Sequence, residues 1–105
     1  MFGRVISYKI ARFSLTKWKN ITNKANTIYQ KYGDVSFQRV VREEGDSLLV
    51  IEFECYPSKK EYERITKKIN GDKRIKILFE KFERIVIGDI HRKEAGHDTV
   101  IELKI

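Results

Sequence analysis

The sequence is short of the residues that mark several classes of protein. Its single cysteine, Cys55, cannot form an internal disulfide, which favours a reducing compartment. No apolar run approaches the ~20 residues that a membrane-spanning helix needs. The N-terminus has no signal-peptide pattern, because Lys9 and Arg12 interrupt its apolar stretch. These absences predict a cytoplasmic protein without a membrane partner.

Catalytic motifs are also missing. The chain has no P-loop, no GxGxxG run, no Ser/His/Asp order and no cysteine pair. His91 and His97 do not have a standard metal-ligand spacing, and a site drawn with Asp89 and Asp98 would be weak, because metal sites need several converging ligands. The sequence therefore predicts no metal site and no cofactor, and it leaves open whether the protein is an enzyme.

Positive charge is in excess, and it is concentrated in the first third of the chain. The formal net charge is +7. Residues 1–42 hold nine lysines and arginines and one acid, whereas residues 43–105 hold thirteen basic and fourteen acidic residues. This imbalance can attract nucleic acid or another anion, or it can simply keep the protein soluble. Richness in Lys, Glu and Ile is a weak compositional indication of a thermophile.

Alternating apolar residues predict strands, and apolar residues at steps of three and four predict helices. The predicted strands cover residues 4–12, 34–42, 47–56, 83–91 and 98–105. Trp18 heads the apolar stripe of the first helix, which we expect Gly33 to end in the left-handed conformation. Ser58 and Glu61 have capping-box spacing for the second helix. Asp72 can cap a short third helix.

Residues 47–56 are the most apolar run and are predicted to be the central strand. Its side chains alternate between two faces. The fully apolar face is expected to pack under the helices, and it comprises Leu49, Ile51, Phe53 and Cys55. The other face is expected to look away from the helices, and it comprises Leu48, Val50, Glu52 and Glu54. Gly88 indicates a bulge in the fourth strand.

This order is β-α-β-β-α-β with an extra C-terminal strand, the α+β ferredoxin-like plan with an antiparallel sheet, in one domain spanning residues 1–105. The elements that follow one another are the helix led by Trp18, Tyr32-Gly33-Asp34, the hairpin into residues 49–53, and Tyr56-Pro57-Ser58. Over residues 4–91 this arrangement resembles the dimeric alpha-beta barrel superfamily, which includes antibiotic-biosynthesis-type monooxygenases and stress-responsive barrel proteins. The resemblance implies a homodimer in which two sheets enclose a cavity.

Four charged residues are candidates for that intersheet cavity: Lys9, Arg39, Glu52 and Glu54. Lys9 is expected to lie beside Glu52 or Glu54, either holding an anionic ligand or forming a structural ion pair. Heme-degrading members of the superfamily use an Asn, a Trp and a His. The first strand offers Ser7 and Lys9 and no Asn, which disfavours heme chemistry.

Three functions remain open. The preferred one is a homodimer that binds a small molecule in the intersheet cavity. The second is a cofactor-independent, monooxygenase-like enzyme that uses the same cavity. The third is a nucleic-acid-associated protein that uses the basic first helix, although Glu52 and Glu54 on a sheet face disfavour binding in the manner of an RRM.

Overall fold

The computed structural model describes residues 1–95, so the predicted strand at 98–105 and the suggested roles of His97 and Asp98 lie outside the described residues. The elements are β1 (Phe2–Ala11), α1 (Leu15–Tyr32), β2 (Ser36–Glu44), β3 (Ser47–Tyr56), α2 (Lys59–Asn70), α3 (Lys73–Ile85) and β4 (Val86–Ala95). A short 3-10 turn joins β1 to α1. The strands form an antiparallel sheet in the order β2-β3-β1-β4. The chain has the predicted ferredoxin-like fold.

The two faces of β3 are the reverse of those predicted. Leu48 and Val50 pack with Trp18 of α1 in one apolar cluster, so the even-numbered residues of β3 lie under the helices. Glu52 and Glu54 follow the same alternation and lie there too. The expectation that Leu49, Ile51, Phe53 and Cys55 meet the helices is wrong. We call the side of the sheet that carries Leu48, Val50, Glu52 and Glu54 the helix-covered face. The side that carries Leu49, Ile51, Phe53 and Cys55 is the helix-free face.

The core lies between the helix-covered face and the helices. One cluster joins Phe2 of β1 and Tyr56 of β3 to buried side chains of all three helices, which are Ile21, Ile28, Ile65, Ile69 and Leu78. The second cluster surrounds Trp18 and includes Tyr8 and Ile10, which are almost fully buried. Within residues 1–95, none of the helices is long and apolar enough to cross a membrane.

Side chains cap the second and third helices as predicted. The Ser58 Oγ accepts a hydrogen bond from the Glu61 backbone N–H at 3.1 Å. The Glu61 carboxylate does not complete a capping box, because it accepts hydrogen bonds from Arg64. At α3, the Asp72 Oδ1 accepts from the Arg74 backbone N–H at 2.9 Å. These caps satisfy N–H groups that the first turn of a helix leaves without partners.

The structure gives different reasons for the glycines at positions 33 and 88. Gly33 follows α1 with a φ of 170°, which is extended backbone, so the prediction of a left-handed cap is wrong. A Cβ there would lie 2.6 Å from the Ile65 Cδ1, so glycine allows α2 to pack closely. Gly88 has a φ of +73°, and the β1–β4 register shifts between Ser7 and Lys9. The predicted bulge is confirmed.

Strand β4 begins and ends later than predicted. Helix α3 continues to Ile85, and the strand then runs from Val86 to Ala95. Residues 92–95, which lie between the predicted strands at 83–91 and 98–105, therefore continue β4. Backbone pairing with β1 overrides its polar composition, and it places Arg92 opposite Ile6.

Candidate functional site

A cavity of about 130 Å³ lies between the helix-covered face and helices α1 and α3. Four aromatic side chains line the cavity, which are Tyr29, Phe37, Phe79 and Phe82. An apolar cavity of ~150 Å³ can hold one benzene ring. The space therefore fits about one aromatic ring, and Phe79, which is 42% exposed, lies where the cavity meets the surface.

The first polar wall of the cavity is built on Glu54. The antiparallel register sets Arg4 directly opposite it, and the Arg4 Nε and Nη2 donate to the Glu54 Oε2 at 3.2 and 3.0 Å. The Tyr56 hydroxyl donates to the Oε1 at 2.9 Å. Burial, followed by the charge of Glu54, raises the pKa of Tyr56 above its ordinary value, so it remains a donor. Both carboxylate oxygens of Glu54 are thus hydrogen-bonded.

The second polar wall is built on Glu52. The Glu52 Oε1 accepts from the Arg39 Nε at 2.6 Å and from the Tyr8 hydroxyl at 2.9 Å. The Tyr8 hydroxyl in turn accepts from the Trp18 Nε1 at 2.7 Å, and the Arg39 Nη2 donates to the Asn26 Oδ1 at 2.7 Å. This network ties β1, β2 and β3 to α1. Burial, followed by the charge of Glu52, raises the pKa of Tyr8.

Two polar groups at the cavity have no partner within the described chain. Arg92 of β4 is exposed, and within residues 1–95 it forms no ion pair or side-chain hydrogen bond. The Tyr29 hydroxyl also has no hydrogen-bond partner there. Burial, followed by the charge of Glu54, raises the pKa of Tyr29 to about 12, so at neutral pH it is a phenol. Both groups can donate hydrogen bonds to a ligand.

The charged groups of the lining do not balance. Among residues 1–95, three guanidinium groups (Arg4, Arg39 and Arg92) and two carboxylates (Glu52 and Glu54) line the cavity, which leaves one positive charge. The two carboxylates are already paired with two of the arginines. The geometry therefore suits a negatively charged, partly aromatic ligand, because the exposed Arg92 supplies the remaining positive charge and the aromatic rings supply apolar surface.

The structure brings three of the four candidate site residues together. Arg39, Glu52 and Glu54 line the same cavity. Lys9 lies on the helix-free face, where its Nζ is 3.0 Å from the Glu44 Oε2. The prediction that Lys9 pairs with Glu52 or Glu54 is wrong, because strand alternation sends those carboxylates to the opposite side of the sheet.

Sequence reasoning missed Arg4, Tyr29 and Arg92. Arg4 lies two and four residues before Ile6 and Tyr8, so it shares their face, and that alternation was a usable signal. Tyr29 lies within the predicted first helix, and Arg92 follows the predicted strand at 83–91. For these two residues no local pattern distinguishes a cavity wall from core or loop.

Histidine and cysteine chemistry has no support in the described residues. Between residues 1 and 95, no three His, Cys, Asp or Glu side chains are placed to hold a metal ion. His91 is exposed and pairs in register with Ser7 on the helix-free face. Cys55 lies on the same face and is half-buried.

No protein-family model matches the sequence, and neither does any curated protein. Solved structures share the fold. A monooxygenase from Streptomyces coelicolor, in complex with nanaomycin D, is 13% identical with a TM-score of 0.66, covering 98% of this chain and 92% of that one. A proposed antibiotic biosynthesis monooxygenase from Nitrosomonas europaea is 9% identical with a TM-score of 0.69, covering 94% and 100%.

A third neighbour has no characterised function. It is a NIPSNAP domain protein from Burkholderia xenovorans, 10% identical with a TM-score of 0.68, covering 97% of this chain and 99% of that one. Identities this low show the fold alone. The resemblance to the dimeric alpha-beta barrel proteins is thus confirmed at the level of the fold.

Proposed function

We propose that this protein binds a small aromatic anion in the cavity between the helix-covered face and helices α1 and α3. The observation that carries the proposal is Arg92, a guanidinium that no carboxylate within residues 1–95 neutralises, beside aromatic walls and the Tyr29 phenol. Arg39, Glu52 and Glu54 form the polar wall against the ligand. The cavity lies within one chain, whereas the sequence analysis expected a cavity between two sheets.

Calorimetric titration with a pair of isosteric probes tests the proposal. Benzoate carries the negative charge and benzamide does not, so we expect benzoate to bind more tightly. Arg92→Gln should weaken benzoate binding by about three- to five-fold, because an exposed ion pair contributes up to about 1 kcal/mol. Lys93→Gln is the matched control, since Lys93 is also exposed on β4 but shares the helix-free face with Val5.

A cavity-filling variant identifies the site. Ala25 lines the cavity, and Ala25→Leu adds about three carbon atoms to it, so we expect this variant to remain folded and to lose benzoate binding. The proposal is wrong if benzoate and benzamide bind equally, if neither binds, or if Ala25→Leu binds benzoate as the natural sequence does.

A second candidate is a cofactor-independent, monooxygenase-like enzyme in the same cavity. Two structural neighbours carry monooxygenase names. The half-buried Tyr29 phenol supports this candidate, because a positioned donor can stabilise negative charge that develops on a substrate oxygen. Oxygen uptake with a single-ring hydroquinone as substrate tests it. We expect uptake that falls in Tyr29→Phe, and uptake no faster than in protein-free buffer would contradict it.

We also propose that two copies associate through the helix-free face. On that face Val40 and Ile87 are 53% and 49% exposed, and Ile51 and Phe53 lie in register between the outer strands. Lys9 of the inner strand β1 lies on the same face, in register between Leu49 and Ile87. Exposed apolar side chains gathered on one face are typical of an interaction surface, and identical chains pair such surfaces by two-fold symmetry.

Light scattering on a sizing column measures the association. The natural sequence should run as a dimer and Val40→Glu as a monomer. Val41→Glu is the matched control, because Val41 is the neighbouring exposed valine and pairs with Val50 on the opposite face. A monomeric natural sequence at micromolar concentration would overturn the dimer.

A further inference from the structure

Helices α1 and α3 form a second depression, on the opposite side of their contact from the cavity. We call it the basic groove, and its volume is about 320 Å³. Its rim consists of Lys17, Asn20 and Lys24 from α1 and Lys81 and Arg84 from α3. Ile21 and Leu78 line both the groove and the cavity, so these two buried side chains separate the two spaces.

Among the residues that the structure describes, no acidic side chain lines the groove. Its four cations are exposed, and none takes part in the ion pairs found within residues 1–95. Helix α1 contains no acidic residue at all. The two acids of α3, Glu80 and Glu83, are not part of the lining. A concave surface lined by one sign of charge concentrates counter-ions of the other sign.

The spacing of the cations selects ligands with several charges. Lys17 and Lys24 are two helical turns apart, which separates them by ~10 Å along α1. Lys81 and Arg84 stand one turn apart on the facing helix. A ligand with a single charge would contact one or two of these groups, and an extended anion would contact all four. A guanidinium binds two oxygens of one phosphate, and lysines add point charges.

We propose that the basic groove binds an anion that carries two or more phosphate groups. The Asn20 amide adds a neutral donor at the rim. Phosphates of this kind occur in short polyphosphates, including nucleotides, and along a nucleic-acid strand. The site is separate from the aromatic-anion cavity, so each can fail independently of the other.

Titrations with three probes test the proposal and distinguish the sources. Inorganic triphosphate represents short polyphosphates, an oligothymidine of about twelve nucleotides represents a single strand, and inorganic phosphate is the comparison with one phosphate group. We expect triphosphate or oligothymidine to bind in a saturable, salt-dependent manner and inorganic phosphate to bind far more weakly. If triphosphate binds at least as tightly as oligothymidine, the source is a short polyphosphate. If only oligothymidine binds, the source is a nucleic-acid strand.

A pair of double variants locates the binding. Lys17→Gln with Lys81→Gln should reduce affinity roughly ten-fold and lower the salt dependence by about two charges. Lys59→Gln with Lys60→Gln removes the same charge from exposed positions at the start of α2 and should change affinity less than about two-fold. Circular dichroism should show both variants folded. The proposal is overturned if neither polyanion binds, or if both double variants lose affinity equally.

Discussion

The two faces of the sheet hold their charges in opposite ways. On the helix-covered face, the side chains of Glu52 and Glu54 are only 12% and 4% exposed, and each is held by an arginine. On the helix-free face, Lys9 pairs with Glu44 at a partly exposed position. The comparison shows that partners on neighbouring strands, and not the apolar content of one strand, decide which face is covered.

The largest expected effect is the loss of a buried pair. Glu54→Leu removes the partner of Arg4 and leaves a largely buried guanidinium without its carboxylate. Breaking such a pair typically costs ~3–5 kcal/mol of the free energy of unfolding. Denaturant unfolding monitored by tryptophan fluorescence measures this cost.

Two further variants sharpen the result. Arg4→Met combined with Glu54→Leu should recover most of the lost stability, because replacing both charges by apolar groups removes the uncompensated charge. Glu44→Gln on the helix-free face should cost far less stability than Glu54→Leu, since its pairs are partly exposed. Equal costs for Glu54→Leu and Glu44→Gln would contradict the difference between the two faces.

The next effect concerns the hydroxyl of Tyr8. Tyr8→Phe keeps the ring and deletes the group that links Trp18 to Glu52. The buried Trp18 Nε1–H would then lack its acceptor, which costs ~1–3 kcal/mol. Thermal unfolding is the measurement, and an unchanged midpoint would show that the link between Trp18 and Glu52 does not stabilise the fold.

Alkaline pH should destabilise the fold by ionising Tyr29, which lines the cavity. Burial, followed by Glu54, raises the pKa of Tyr29 from about 10 to about 12, so the native state holds its proton more tightly than the unfolded state. The contribution of this proton to the free energy of unfolding should therefore be fully present below pH 10 and should be lost between about pH 10 and 12. Absorbance of tyrosinate should rise at higher pH in the folded protein than in denaturant, and Tyr29→Phe should reduce this difference. Coincident titrations would contradict the assignment.

The smallest effect is expected for Lys9, the candidate that lies away from the cavity. Lys9→Gln breaks only a half-exposed ion pair with Glu44. The expected cost is below about 1 kcal/mol, and benzoate affinity should not change. A large loss of ligand affinity in this variant would restore the predicted role of Lys9.

The fold follows from patterns that single elements carry. Alternation located β1, β2 and β3, and three- and four-residue spacing located α1 and α3, while Ser58 and Asp72 marked two helix starts. The C-terminal half of β4 was not predicted, because pairing with β1, and not its own composition, makes residues 92–95 a strand.

The site was only partly accessible from the sequence. Arg39, Glu52 and Glu54 were selected as charged residues on the predicted second and third strands that could line an intersheet cavity, and the structure brings them to one cavity within the chain. The face was predicted wrongly because buried carboxylates are costly when unpaired, and the pairing with Arg4 depends on the β1–β3 register. Register joins residues fifty positions apart, which no local pattern encodes.

Backbone amide shifts can locate a bound aryl carboxylate in this fold. They are recorded while benzoate is titrated into the isotopically labelled protein. Binding in the cavity should give saturable shifts that cluster at Ala25, Tyr29 and Arg92. Shifts confined to the helix-free face, at Val40 and Ile87, would contradict it.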